Sequence, residues 1–245
     1  AFGFSNTAKG ENSTSLGSYS IASGKSSFAT GDNAKAIGNY SIAAGRWVTA
    51  DCEYCVALGA ATLASGHNST AFGNNTQAIG NNTTAFGNES IATGENAIAM
   101  GYKSSALGDF SFAASNNTLA TNHCAVAFGD NTLAKGESSF SAGKYSQAYG
   151  FGSVCFGTNN IALASNSLVI GKWNIPFGDT IQWIETDPAL TIGNGYSNVN
   201  RNNAFCAYKN GNLYIAGNLY QSSDKNIKKD IIPLNNTLNK LKYII

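Results

Sequence analysis

Few residues in this chain have types and spacings that could do chemistry. Cys52 and Cys55 stand as Cys-x-x-Cys, half of a zinc site, but such a site takes four ligands and no second pair lies nearby, so no metal is expected. With Cys124, Cys155 and Cys206 they read as unpaired small residues, a usage that favours assembly in a reducing compartment. His67 and His123 have no evident partner. Glu11, Glu53, Glu89, Glu95 and Glu137 are scattered, not paired on one face as glycoside hydrolysis requires, so a glycan-cleaving enzyme is not expected. Near the end of the chain, Ser223, Asp224 and Lys228 bring a hydroxyl, a carboxylate and an amine together. A serine hydroxyl is a poor nucleophile until a base takes its proton, and a desolvated lysine can be that base. From the residues alone, Ser223 or Asp224 equally caps a following helix, and Lys225, Lys228 and Lys229 equally form a solvated run.

The elements that carry these residues follow a strict period. Of 25 positions spaced seven apart from Gly3 to Gly171, 21 hold glycine; the exceptions are Cys52, Ser115, Asn122 and Ala164. Two residues before each of them, Ala stands 21 times. Fixed self-similarity of this kind makes a stacked array whose units bury their core against neighbours. After each frame position come two polar or turn-forming residues, then usually Ser or Thr, and a small residue in the fifth slot flanked by apolar fourth and sixth slots. Asn fills the second slot ten times, which marks corners, because Asn and Gly most readily visit positive φ. Between corners lie short strands such as Val126-Ala127-Phe128; a helix would not survive glycine at this density.

In the sixth slot, Phe2, Leu16, Leu58, Phe72, Phe86, Met100, Phe128 and Phe156 share one phase of fourteen, whereas Lys9, Ser23, Asp51, Ser65, Thr93 and Lys135 share the other, so one coil takes two heptads. About 12 coils at roughly 4.8 Å predict a rod near 60 Å long. So thin a coil, with Ala inside and Phe or Leu on another face, leaves an apolar stripe exposed, the mark of an assembly surface; a homo-oligomer is expected. Charged residues are 12% and the net charge is +1, against the clustered cations that a polyanion needs, so nucleic acid is not an expected partner. No apolar run is long enough to span a bilayer, and no membrane insertion is expected.

Aromatic residues interrupt the polar second slot at Tyr19, Tyr40, Trp47, Tyr54, Phe110, Tyr145 and Trp173. Rings on polar corners are costly unless they contact something. Stacking on a receptor glycan and packing between neighbouring chains are the two readings. Tyr40, Trp47 and Tyr54 fall on successive heptads, and alternating corners make Tyr40 and Tyr54 neighbours.

The unit Ser-x-Ala-x-Gly, as in Ser20–Gly24 and Ser90–Gly94, resembles the head repeats of trimeric autotransporter adhesins of the YadA and haemagglutinin type. That resemblance covers residues 1–171 and implies an all-β, left-handed parallel β-roll, a homotrimer of chains packed side by side, displayed to hold a host surface ligand. Frame and composition change after Gly171. Residues 172–221 read as an irregular β connector, with Asn210-Gly211 a hairpin signal between Ala204–Tyr208 and Asn212–Ala216.

The final part, 222–245, resembles the start of the autoproteolytic intramolecular chaperone domain of phage tailspikes and tail fibres, the endosialidases among them, and of a membrane-tethered myelin transcription factor. That pattern, Ser-Asp-x-Arg-x-Lys-x-x-Ile, falls on Ser223, Asp224, Lys228 and Ile231, with Asn226 in place of the Arg. It implies that Ser223 attacks an adjacent peptide bond with Lys228 as base, once per chain. Ile231, Leu234, Leu238, Leu241 and Ile245 then form a short helical coiled-coil seam. Opening inside a repeat at Ala1-Phe2-Gly3, the chain is expected to be part of a longer protein, a viral fibre or tailspike attached to the rest of its virion, with a bacterial trimeric adhesin head as the alternative. No cofactor is expected.

Overall fold

The computed structural model describes residues 1–219, in which every regular element is a β-strand. Ser223, Asp224, Lys228 and the heptad seam lie outside the described residues. Each coil consists of a five-residue strand, a corner, a two-residue strand and a second turn, as in Thr70–Asn74 followed by Gln77–Ala78. Successive coils pair in parallel at a register of fourteen, with Ala71 on Ala85, Phe72 on Phe86 and Gly73 on Gly87. The long strands stack into a 16-stranded sheet and the short ones into a 12-stranded sheet, facing each other across a narrow core. Two heptads per coil, as the sixth-slot rhythm predicts, is the observed arrangement.

The corners explain the period. All 25 second-slot residues, from Ser5 to Trp173, take a left-handed φ between 49° and 59°. From Tyr19 onward, the backbone N–H of each donates to a carbonyl of the preceding coil, as Asn33 does to Ser18 at 2.8 Å. Frame glycines serve a second constraint. In the phase of Gly73 φ is 132°, and a methyl there would drive into the Gly87 carbonyl of the next coil. Glycines of the other phase keep ordinary φ, and Cys52, Asn122 and Ala164 all replace glycine there; Ser115, at φ 100°, is the exception.

Alanines two before the frame, such as Ala29, Ala36, Ala71 and Ala78, are fully buried. The third-slot Ser and Thr are buried as well, and face inward. Ser20 Oγ donates to the Gly31 carbonyl at 3.1 Å and Ser90 Oγ to Gly101 at 2.9 Å, while in the other phase Ser41 and Thr83 hydroxyls turn back to Gly38 and Gly80 at 2.6 and 2.7 Å. Val48 heads the fully buried side chains by volume. The core therefore has no room for larger hydrophobics, and side-chain alternation along the long strands sends them outward. Phe28, Ile42, Phe72, Phe86, Ile98, Met100, Phe128 and Phe156 are 37–52% exposed and form one apolar stripe. Bulk alternates between columns: Phe28 and Ile42 are partnered by Thr30 and Ala44, whereas Phe72 and Phe86 are partnered by Thr70 and Thr84.

At the C-terminal end the period breaks. Leu168–Lys172 pairs in parallel with Pro188–Asn194, Leu168 opposite Leu190, a register of 22 in place of 14. The extra residues make a segment that folds back on the roll. Its Thr180 carbonyl accepts from Phe151 N–H at 2.8 Å, its Asp179 carbonyl from Ser165 N–H at 2.8 Å, and its Gln182 carbonyl from Ser165 Oγ at 2.7 Å. Gly178, itself in frame, lacks the side chain that would collide with the Ala164 methyl. Asn203–Tyr208 and Leu213–Ile215 finish the long sheet as antiparallel strands, turning at Asn210-Gly211.

Candidate functional site

Two rows of corners run along the roll. Corners entering long strands carry Tyr40, Tyr54 and Phe110; corners leaving them carry Tyr19, Trp47, Tyr145 and Trp173. Each of these aromatics holds a left-handed backbone, φ 49–58°. For a bulky L-residue that conformation costs about 1–2 kcal/mol, where Asn or Gly would relieve most of it. Strain of this size is retained where the side chain has a use.

The structure places Tyr40 and Tyr54 together, with centroids 5.2 Å apart and planes 8° from parallel. His67 extends the ladder edge-on to Tyr54 at 5.8 Å. Its Nε2 lies 3.5 Å from Glu53 Oε2, so the coil below, fourteen residues earlier, supplies a partner that was not assigned to His67 from the sequence. Trp47 stands on the other row, as alternating corners require, with the Arg46 guanidinium 4.6 Å from its ring centroid. Tyr145 carries Lys144 at 5.5 Å, Trp173 carries Arg201 at 5.1 Å, and Phe110 meets His123 edge-on at 5.5 Å. All but Trp173 are about half exposed. Flat apolar faces edged by charge can stack on the C–H faces of sugars or on apolar side chains of a protein.

The cysteines require a correction. Cys52 and Cys55 flank one turn with Cα atoms 5.3 Å apart and their sulfurs turned toward each other, so they are not the isolated small residues that their slots suggest, and the separation is within reach of a disulfide. Cys124, Cys155 and Cys206 are free. Burial pushes the Cys155 thiol up to about 12, which removes it from thiolate chemistry.

A concavity of about 400 Å³ lies where the fold-back segment meets the coils, between Lys135 and Glu137, Tyr149 and Phe151, and Ile181. One signal for it is visible in the sequence. Phe151 occupies a first slot that Asp109, His123 and Glu137 keep polar on the coils before it.

Residues 1–20, 22–46, 56–76, 64–90, 78–94 and 92–114 match the YadA head domain repeat. No curated protein matches the chain. Over those segments the coils are similar to trimeric autotransporter adhesin-type head repeats.

Proposed function

We propose that the chain is the attachment head and shaft of a homotrimeric surface fibre that holds a host cell-surface glycan or protein through its corner aromatics. The observation that carries this reading is the outward apolar stripe of the long sheet, set against a core with no room for anything larger than Val48. A rung this thin covers its Phe, Ile and Met side chains only against other copies of itself. Parallel packing of identical chains then leaves the corner rows facing outward. On a virion fibre, Ser223 would cut the chain beside itself with Lys228 as base, releasing a chaperone segment after assembly and making the assembled trimer irreversible.

A second reading, the head of a bacterial trimeric adhesin, is favoured equally by the head-repeat match. Both readings place the roll outside a cell, on a surface. Sedimentation equilibrium of the full chain tests the shared core: a mass of three chains is expected, dissociating in a Phe72→Asp, Phe86→Asp variant. A folded monomer overturns the proposal.

A further inference from the structure

The concavity beside the fold-back segment is unlike the rest of the roll. Elsewhere the outer side of the short sheet is a plain ladder. Here the segment docks through Phe151 N–H to the Thr180 carbonyl at 2.8 Å and raises Ile181 as a wall opposite Tyr149 and Phe151. The volume, about 400 Å³, lies within the range of small-ligand sites. Its walls are set in place. Tyr149 Oη donates to Gln147 Oε1 at 2.7 Å, which fixes the ring, and the loop end is tied by Asp179 Oδ1 accepting from Gln182 and Ile181 N–H at 2.7 and 2.8 Å.

The polar groups are as particular as the apolar ones. Lys135 Nζ stands 5.5 Å from the Tyr149 ring centroid and makes no ion pair among the described residues; neither does Glu137. Three other surface lysines are paired, Lys25 with Glu11, Lys103 with Glu89 and Lys144 with Asp130, so Lys135 belongs with the lysines whose charge is left to solvent or a ligand. Asn122 adds an amide at the rim. One ammonium, one carboxylate and one amide around an apolar floor suit a polyhydroxyl ring. The floor takes the C–H face, Glu137 and Asn122 take hydroxyls, and Lys135 takes an anionic substituent. The coils themselves require none of this, since Ser65 and Thr93 serve in the slot of Lys135.

We propose that this cleft binds one sugar ring of an acidic saccharide, its carboxylate on Lys135 and its apolar face against Phe151 and Ile181. The site is separate from the corner rows and stands even if those rings only pack between chains.

Saturation-transfer NMR on the full chain, with glucuronate and glucose as probes, tests it. Saturation of glucuronate over glucose is expected, with Phe151→Ser weakening both sugars about tenfold and Lys135→Gln abolishing the preference for the acid. Trp47→Asn should change neither, which separates this site from the corner rows. Phe151 is 42% exposed in a slot that other coils keep polar, so its serine variant should fold, and circular dichroism checks that. Were it to misfold, the exposed Lys135→Gln variant decides alone. Absence of saturation at millimolar sugar, or an acid preference that survives Lys135→Gln, overturns the proposal.

Discussion

Replacing Trp47 by Asn separates a ring kept for a ligand from a ring that packs the trimer. Trp47 holds φ at 56° and is 55% exposed. Relief of the left-handed backbone should return about 1 kcal/mol, because Asn adopts that conformation readily. Against this stands loss of the Arg46 contact, 4.6 Å from the ring centroid, worth about 0.5–1 kcal/mol at an exposed position. The balance falls between no change and a gain of about 0.5 kcal/mol, whereas a point substitution ordinarily loses about 1 kcal/mol. In a chain of this size the expectation is a melting temperature unchanged or raised by about 1–2 °C, with weaker attachment to cells. Thermal melts at one fixed protein concentration read it, since assembly makes the midpoint concentration-dependent. A fall of more than about 4 °C would show Trp47 buried against a sister chain, and the attachment reading of its row would fail with it.

Gly73→Ala should destabilise the roll by more than about 3 kcal/mol in urea titration, because it combines a forbidden φ with a collision on the Gly87 carbonyl; Gly66→Ala, which meets the Gly80 carbonyl in the same way but at ordinary φ, should lose less. Iodoacetamide on the native protein at about pH 8 should label Cys124 well before Cys155, whose buried thiol is pushed up to about 12; equal labelling by mass spectrometry would contradict the burial. Backbone donation by Gln182 and then Ile181 holds the Asp179 carboxyl below the usual range. A depressed folded value means that its anchoring is complete above the unfolded value of about 4 and is lost only as pH falls through the folded one, so amide exchange at Ile181 and Gln182 should stay slow at about pH 5 and quicken in stronger acid. Ser223→Ala should abolish any cleavage of the full-length protein, and a single uncleaved denatured species in both forms would remove the autoproteolysis proposal.

The coil, its fourteen-residue register, the left-handed corners, the alanine core and the neighbouring Tyr40 and Tyr54 were all legible in the chain alone. In a solenoid each residue meets its counterpart fourteen positions away, so local pattern and tertiary contact are nearly the same information. Serine and threonine were harder to place, because a hydroxyl suits a corner as well as a core; stacking decided it by bringing the Gly31 and Gly101 carbonyls within reach of Ser20 and Ser90. The His67–Glu53 pair, fourteen positions apart, was within reach of the same register, whereas only the tertiary structure could stretch the register from Leu168 to Leu190 to 22 residues. The cleft over Phe151 belongs to the same group. It arises where the period stops and residues 29 or 30 positions apart are brought into contact by a segment that repeats nothing, and no rule of spacing reaches across such a gap.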